Sequence, residues 1–134
     1  MYNKILVSVS LDHGISTRAI EIAQKLKSEG GQIIAIHVLE PIPAAASVHL
    51  SADQLQSIEQ LAQEELAKQI DPVTHIEGVI LEGHPGHIIP MFALEHDIDC
   101  IIMDAHKPEM ADYLLGSTAA RVVRHAHCAV HILR

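Results

Sequence analysis

Asp99-Cys100-Ile101-Ile102-Met103, a loop that begins Asp104-Ala105-His106-Lys107-Pro108-Glu109, then Gly116-Ser117-Thr118-Ala119-Ala120-Arg121-Val122-Val123: this stretch reads as strand, loop and helix. The first run is short, apolar and β-branched, as a strand buried on both faces is. The last carries alanines and valines at helical spacing behind a glycine and two hydroxyl residues. Taken locally, Ser117 or Thr118 is an N-cap and nothing more. A helix start of this kind also offers free backbone N–H groups and the positive end of a dipole to an anion. Gly116 would let a phosphate come close to the backbone, and the two hydroxyls could donate to it.

The same alternation recurs along the chain. Lys4 to Val9 is a continuous apolar run, and Ala19, Ile22, Ala23 and Leu26 follow at helical spacing after a possible cap at Ser16. Gly30-Gly31 is expected to stop that helix, and Ile33 to Leu39 makes a second strand. Glu40 to Leu50, with two prolines and three alanines, reads as a long connection. Ser51-x-x-Gln54 has the form of a capping box ahead of a stripe of Leu55, Ile58, Leu61, Ala62 and Leu66. Asp71-Pro72 closes this helix. His75 to Leu81 is a third strand, and Pro85 or Gly86 opens a helix bearing Ile88, Ile89, Phe92 and Ala93. Cys100 to Met103 is the fourth strand, and Ala129 to Leu133 is the fifth.

Five strands separated by helices predict an α/β fold: one domain over residues 1–134, with a doubly wound, mainly parallel sheet and helices on both faces. Ligands of such sheets bind outside the carboxyl ends of the strands, where the winding reverses. The candidate site therefore lies at the loops after strands one, two and four, together with the start of the last helix. That location lifts the anion reading of Gly116-Ser117-Thr118 above the bare cap.

Composition narrows the function. The chain has 134 residues, 49% of them hydrophobic, which suits one aliphatic core. Only 2% are aromatic, so stacking platforms for bases are missing. Nine Lys and Arg against 17 Asp and Glu give a net charge of −8, which argues against nucleic acid or an anionic membrane as partner. A small anion stays possible, because local amides can overcome an unfavourable global field. Two cysteines without CxxC, and no apolar run long enough to span a bilayer, are expected of a cytoplasmic protein.

Several segments resemble the universal stress protein family (the UspA superfamily), over nearly the whole chain. They are Lys4-Ile5-Leu6-Val7, the long connection after strand two, Glu82-Gly83-His84-Pro85, and above all Tyr113 through Val130, Tyr-Leu-Leu-Gly-Ser-Thr-Ala-Ala-Arg-Val-Val-Arg-His-Ala-His-Cys-Ala-Val. The loop Ala105-His106-Lys107-Pro108-Glu109 ahead of Leu114-Leu115-Gly116-Ser117 is similar to the UspF/UspG-like branch. Nucleotide-binding members carry Gly-x-x-Gly, nine residues, then Gly-Ser/Thr; here only the second half is present, as Gly116-Ser117. Ser10 stands where members that bind ATP place an Asp, with Asp12 two residues on as a substitute. Ser8 stands where Pro is common, and Asp104 where Gly or Ala is usual.

The resemblance implies a pocket for ATP or another adenine nucleotide. Ser10 and Asp12 would lie near adenine and ribose, and Val38 against the adenine. Met103, Asp104 and Ala105 would lie beside ribose and phosphates. His106 and Lys107 would stand in the phosphate loop, and Gly116, Ser117 and Thr118 would hold phosphate. A carboxylate at Asp104 would repel phosphates unless it points away or takes a cation such as Mg2+. The resemblance also implies a homodimer paired through the edge strand 129–133, and a regulatory role exercised on an unidentified protein partner.

Other constellations are less telling. Of the eleven histidines, His127 and His131 fall on the opposite face of the last strand from Cys128, so no zinc site is expected. No G-x-S-x-G elbow surrounds Ser117, and no catalytic residue is assigned. Two alternatives remain open. One is an interaction module whose pocket has decayed at Ser10 and Asp104. The other is a slow ATPase in which Asp104 or His106 positions a water.

Overall fold

A computed structural model describes residues 1–10, 17–70, 75–105 and 115–134. Its elements run β1 (Tyr2–Ser8), α1 (Thr17–Leu26), β2 (Lys27–Leu39), α2 (Ala44–Ser47), α3 (Ala52–Gln69), β3 (Glu77–Glu82), α4 (Pro85–Glu95), β4 (Cys100–Asp104), α5 (Ser117–His125) and β5 (Ala129–Leu133). The strands form one sheet in the order β3-β2-β1-β4-β5, and every neighbouring pair is parallel. The winding reverses between β1 and β4, as expected of a doubly wound sheet.

Alternation along the strands divides the core into two layers. Leu6, Ile34, Ile36, Val38, Ile101 and Met103 face α4 and α5, whose Ile89, Phe92, Ala93, Ala119 and Val122 complete that layer. Ile5, Val7, Ile33, Ala35, Cys100 and Ile102 face α1 and α3, meeting Ala19, Ala23 and Leu66. The central strands are covered on both sides, which is why they read as unbroken apolar runs rather than alternating ones. Asp99 ties their starts together. Its carboxylate accepts from the Asn3 N–H at 2.8 Å and the Lys4 N–H at 3.0 Å, while its own N–H donates to the Lys4 carbonyl at 3.0 Å.

Several local expectations need correction. Gly30-Gly31 does not stop the first helix: α1 ends at Leu26 and both glycines lie within β2. Between the pairs Tyr2↔Lys27 and Lys4↔Gln32 the register shifts, β2 advancing five residues while β1 advances two. The surplus forms a bulge that needs Gly30 at φ +75°, a conformation costly for a residue with a Cβ. The third strand starts at Glu77, not at His75, which sits in a turn at φ 54°. The connection after strand two contains the one-turn α2. The capping box forms as expected: Ser51 Oγ accepts from the Gln54 N–H at 3.1 Å, and Gln54 Oε1 accepts from the Ser51 N–H at 2.8 Å. The expected caps or stops at Ser16 and Asp71-Pro72 lie outside the described residues.

Candidate functional site at the start of the last helix

Three strands deliver the site. The chain leaves β4 through Ala105, which is 1% exposed and bonded on both sides. Its N–H donates to the Leu133 carbonyl at 2.8 Å, and its carbonyl accepts from the Gly116 N–H at 2.6 Å. One buried alanine thus clamps the end of β4 to β5 and to the start of α5. At β1, the Val9 N–H donates to the Ile36 carbonyl at 2.9 Å. The His37 Nδ1 lies 3.0 Å from the Val9 carbonyl oxygen, and since a carbonyl only accepts, this ring nitrogen carries the proton. The end of β1 is held to β2 by both bonds. The sequence reading passed over His37; its signal was a polar ring inside an apolar strand, which needs a partner.

The cap of α5 is Gly116, at φ −61° and ψ 158°, and as a glycine it has no side chain with which to cap the helix. This corrects the local reading of Ser117 or Thr118 as N-cap: they are the first and second residues of the helix proper. The backbone of Gly116 is one that any residue adopts, so its glycine is not demanded by conformation. Its carbonyl accepts the first helical bond, from the Ala120 N–H at 2.9 Å. The amides of Ser117, Thr118 and Ala119 have no intrahelical acceptor, and a glycine cap brings no side chain to them. Gly116 is buried, Thr118 half-buried and Ser117 exposed, so the first turn opens outward from a closed base. Arg124 occupies the last turn, where positive charge complements the dipole.

The structure sorts the other expected residues. Val38 and Met103, 8% and 4% exposed, belong to the layer beneath α4 and α5, the side on which α5 starts. Ser8 and Ser10 continue the alternation of Leu6 and so belong to that same side; both are half-buried. Asp104 is exposed, and alternation from Cys100 and Ile102 turns it toward the α1 side, away from α5. Asp12, His106 and Lys107 lie outside the described residues.

The model of the Usp (universal stress protein) family matches residues 1–134. The chain belongs to the universal stress protein family. Universal stress protein G of Salmonella typhimurium is 30% identical to it over 144 residues, a match covering 100% of each chain. Among solved structures, the universal stress protein UspA from Lactobacillus plantarum has 26% identity and a TM-score of 0.68, over 99% of this chain and 98% of that one. The universal stress protein from Archaeoglobus fulgidus, solved in complex with dAMP, has 19% identity and a TM-score of 0.58 over 99% and 98% of the two chains, and so shares the fold.

This universal stress protein also has a shallow cavity of about 250 Å³ elsewhere, lined by Ala93, Leu94, Asp97, Ile98, His127 and Cys128. It sits by the amino ends of β4 and β5, where no helix presents its N-terminus. Its thiol is not poised for chemistry: burial, then the nearby Asp99, pushes Cys128 upward. Burial, then Cys128 and Asp99, pushes Cys100 up to about 11. Both cysteines are free. Among the described residues no group of three His, Cys, Asp or Glu could hold a metal ion, and no helix is long and apolar enough to cross a membrane.

Proposed function

We propose that this universal stress protein binds an adenine nucleotide, its phosphoryl group seated on the first-turn amides of α5. The observation that carries this is the glycine-capped start of α5 beside the carboxyl ends of β1 and β4. There the open amides and the helix dipole favour a phosphate, and the switch in winding opens a crevice for the nucleoside. The dAMP complex of the A. fulgidus relative in fold supports the same ligand class. ATP is the expected nucleotide, with Mg2+ as counter-ion to its phosphates. Binding would alter contacts with a regulatory partner in the cytoplasm. The active form is a homodimer joined along β5, whose outer edge has no strand partner within the sheet.

Titration calorimetry with ATP, ADP, AMP and cyclic AMP, each with and without Mg2+, tests the reading. Saturable heat for at least one of them is expected; silence for all of them overturns it. A second reading, a partner-binding module without a ligand, is favoured by one observation: Ser10 where nucleotide-binding members place an Asp. It predicts that partner capture is indifferent to nucleotide.

A further inference from the structure

The first half of α3 is only partly covered. Leu66 packs into the core and Ala62 is buried, but Leu55 and Ile58 are each 41% exposed and Leu61 is 63% exposed. These residues share one stripe, since Leu55, Ile58, Ala62 and Leu66 recur at helical spacing with Leu61 at its border. The stripe is thus continuous, while the sheet beneath it is not. At about 1.5 Å per residue, α3 is roughly 27 Å long, whereas the strand it covers spans roughly 20 Å. The Leu66 and Ile70 side chains sit over Gly78 at the start of β3, so the surplus length projects toward the carboxyl ends of the strands. Val48, just ahead of the helix, is 76% exposed and adds to the apolar surface.

The charge along this part of the chain has one sign. No Lys or Arg occurs between Lys27 and Lys68, while Glu29, Glu40, Asp53, Glu59, Glu64 and Glu65 fall in that span. Helical geometry places Glu59 beside Leu55 on one border of the stripe, and Glu65 one turn beyond Leu61 on the other side. We infer that the overhanging half of α3 is a docking face for a basic amphipathic segment of another protein. The apolar anchors at 55, 58 and 61 would meet its hydrophobic side, and the flanking carboxylates its lysines or arginines. A second copy of this chain is disfavoured as occupant, because it would set acidic flanks against acidic flanks. The inference does not rest on nucleotide binding and is tested without nucleotide.

The probe is a fluorescent peptide of leucine and lysine in an amphipathic helical pattern, followed by anisotropy at about physiological salt. Saturable one-to-one binding is expected, at least about tenfold tighter than for a scrambled peptide of the same composition. L55E/I58E should weaken it about tenfold, Glu59→Lys should weaken it with the stripe intact, and Leu94→Glu on α4 should leave it within about twofold. Equal binding of the scrambled peptide, or equal loss in Leu94→Glu, would mean charge attraction alone and would overturn the proposal. So would absence of binding, or an assembly of the wild type that L55E/I58E dissolves in sedimentation velocity, which would make a second copy the occupant. Unchanged circular dichroism of each variant identifies the loss as one of surface, not of fold.

Discussion

At the scale of the residue, the site depends on what Gly116 lacks. Because it brings no side chain, the cap residue itself does not compete for the amides behind it, whereas a carboxylate among them would. Ser117→Asp is expected to leave the melting temperature unchanged or slightly raised, since an acid at a helix start suits the dipole by about 0.3–1 kcal/mol. The same change should weaken nucleotide affinity about tenfold or more in calorimetry, through repulsion of the phosphate. A variant that binds as wild type would remove the phosphate from this turn. Asp99 illustrates a residue whose role is structural. Asp99→Ala strips acceptors from two strand-initiating amides and is expected to cost about 1–3 kcal/mol in urea unfolding.

Cys100 adds a pH dependence whose sign follows from burial. Its folded pKa is pushed up to about 11 from an ordinary 9.0. Below the ordinary value the thiol is protonated in both states and contributes no pH slope. Between the two values only the unfolded chain ionises, so stability falls as pH rises, and the loss levels off above the folded value. Two units correspond to about 3 kcal/mol as an upper figure. Urea midpoints taken through this window should fall more steeply in wild type than in Cys100→Ala.

At the scale of the element, α1, β2 and α3 carry the lessons. Where α1 meets β2, Gly30-Gly31 has the look of a helix stop, but the chain spends the pair on a bulge inside the strand. A Cβ at Gly31 would lie 2.9 Å from the Ser28 carbonyl oxygen and 3.1 Å from that of Asn3, both backbone atoms that cannot swing aside. Gly31→Ala is therefore expected to destabilise by more than the about 1 kcal/mol of an ordinary overpacking change, read as a shifted denaturation midpoint. In α3, the capping box and the last two turns are anchored, while the apolar side chains of the turns between them, Leu55, Ile58 and Leu61, stay exposed. Native-state hydrogen exchange should find the amides of residues 55–61 opening well before those of β1 and β4. Uniform protection along α3 would mean that its overhang is covered.

At the scale of the whole molecule, parallel pairing leaves β5 with a neighbour on one side only. Val130 and Ile132 pack against the core, while Ala129 and His131 are exposed, so the edge is apolar enough to invite a mate. Sedimentation velocity is expected to find a dimer over the micromolar range, with the β5 amides protected on both edges. A monomer at every concentration would dismiss the homodimer.

The alternation of strands with helices and the parallel sheet were readable in the chain, because buried strands and amphipathic helices announce themselves by which positions are apolar. The capping box at Ser51 was readable for the same reason, as a local bond between residues three apart. What the residues could not say alone was anything set by distant partners. Register with β1 put Gly30-Gly31 inside a strand. The clamp from Ala105 to Leu133 and Gly116 made the glycine, rather than Ser117 or Thr118, the cap. The length of the sheet decided which half of a continuous apolar stripe found a core and which was left facing solvent. Local pattern measures what a segment could bury; only the packed fold determines what lies opposite it.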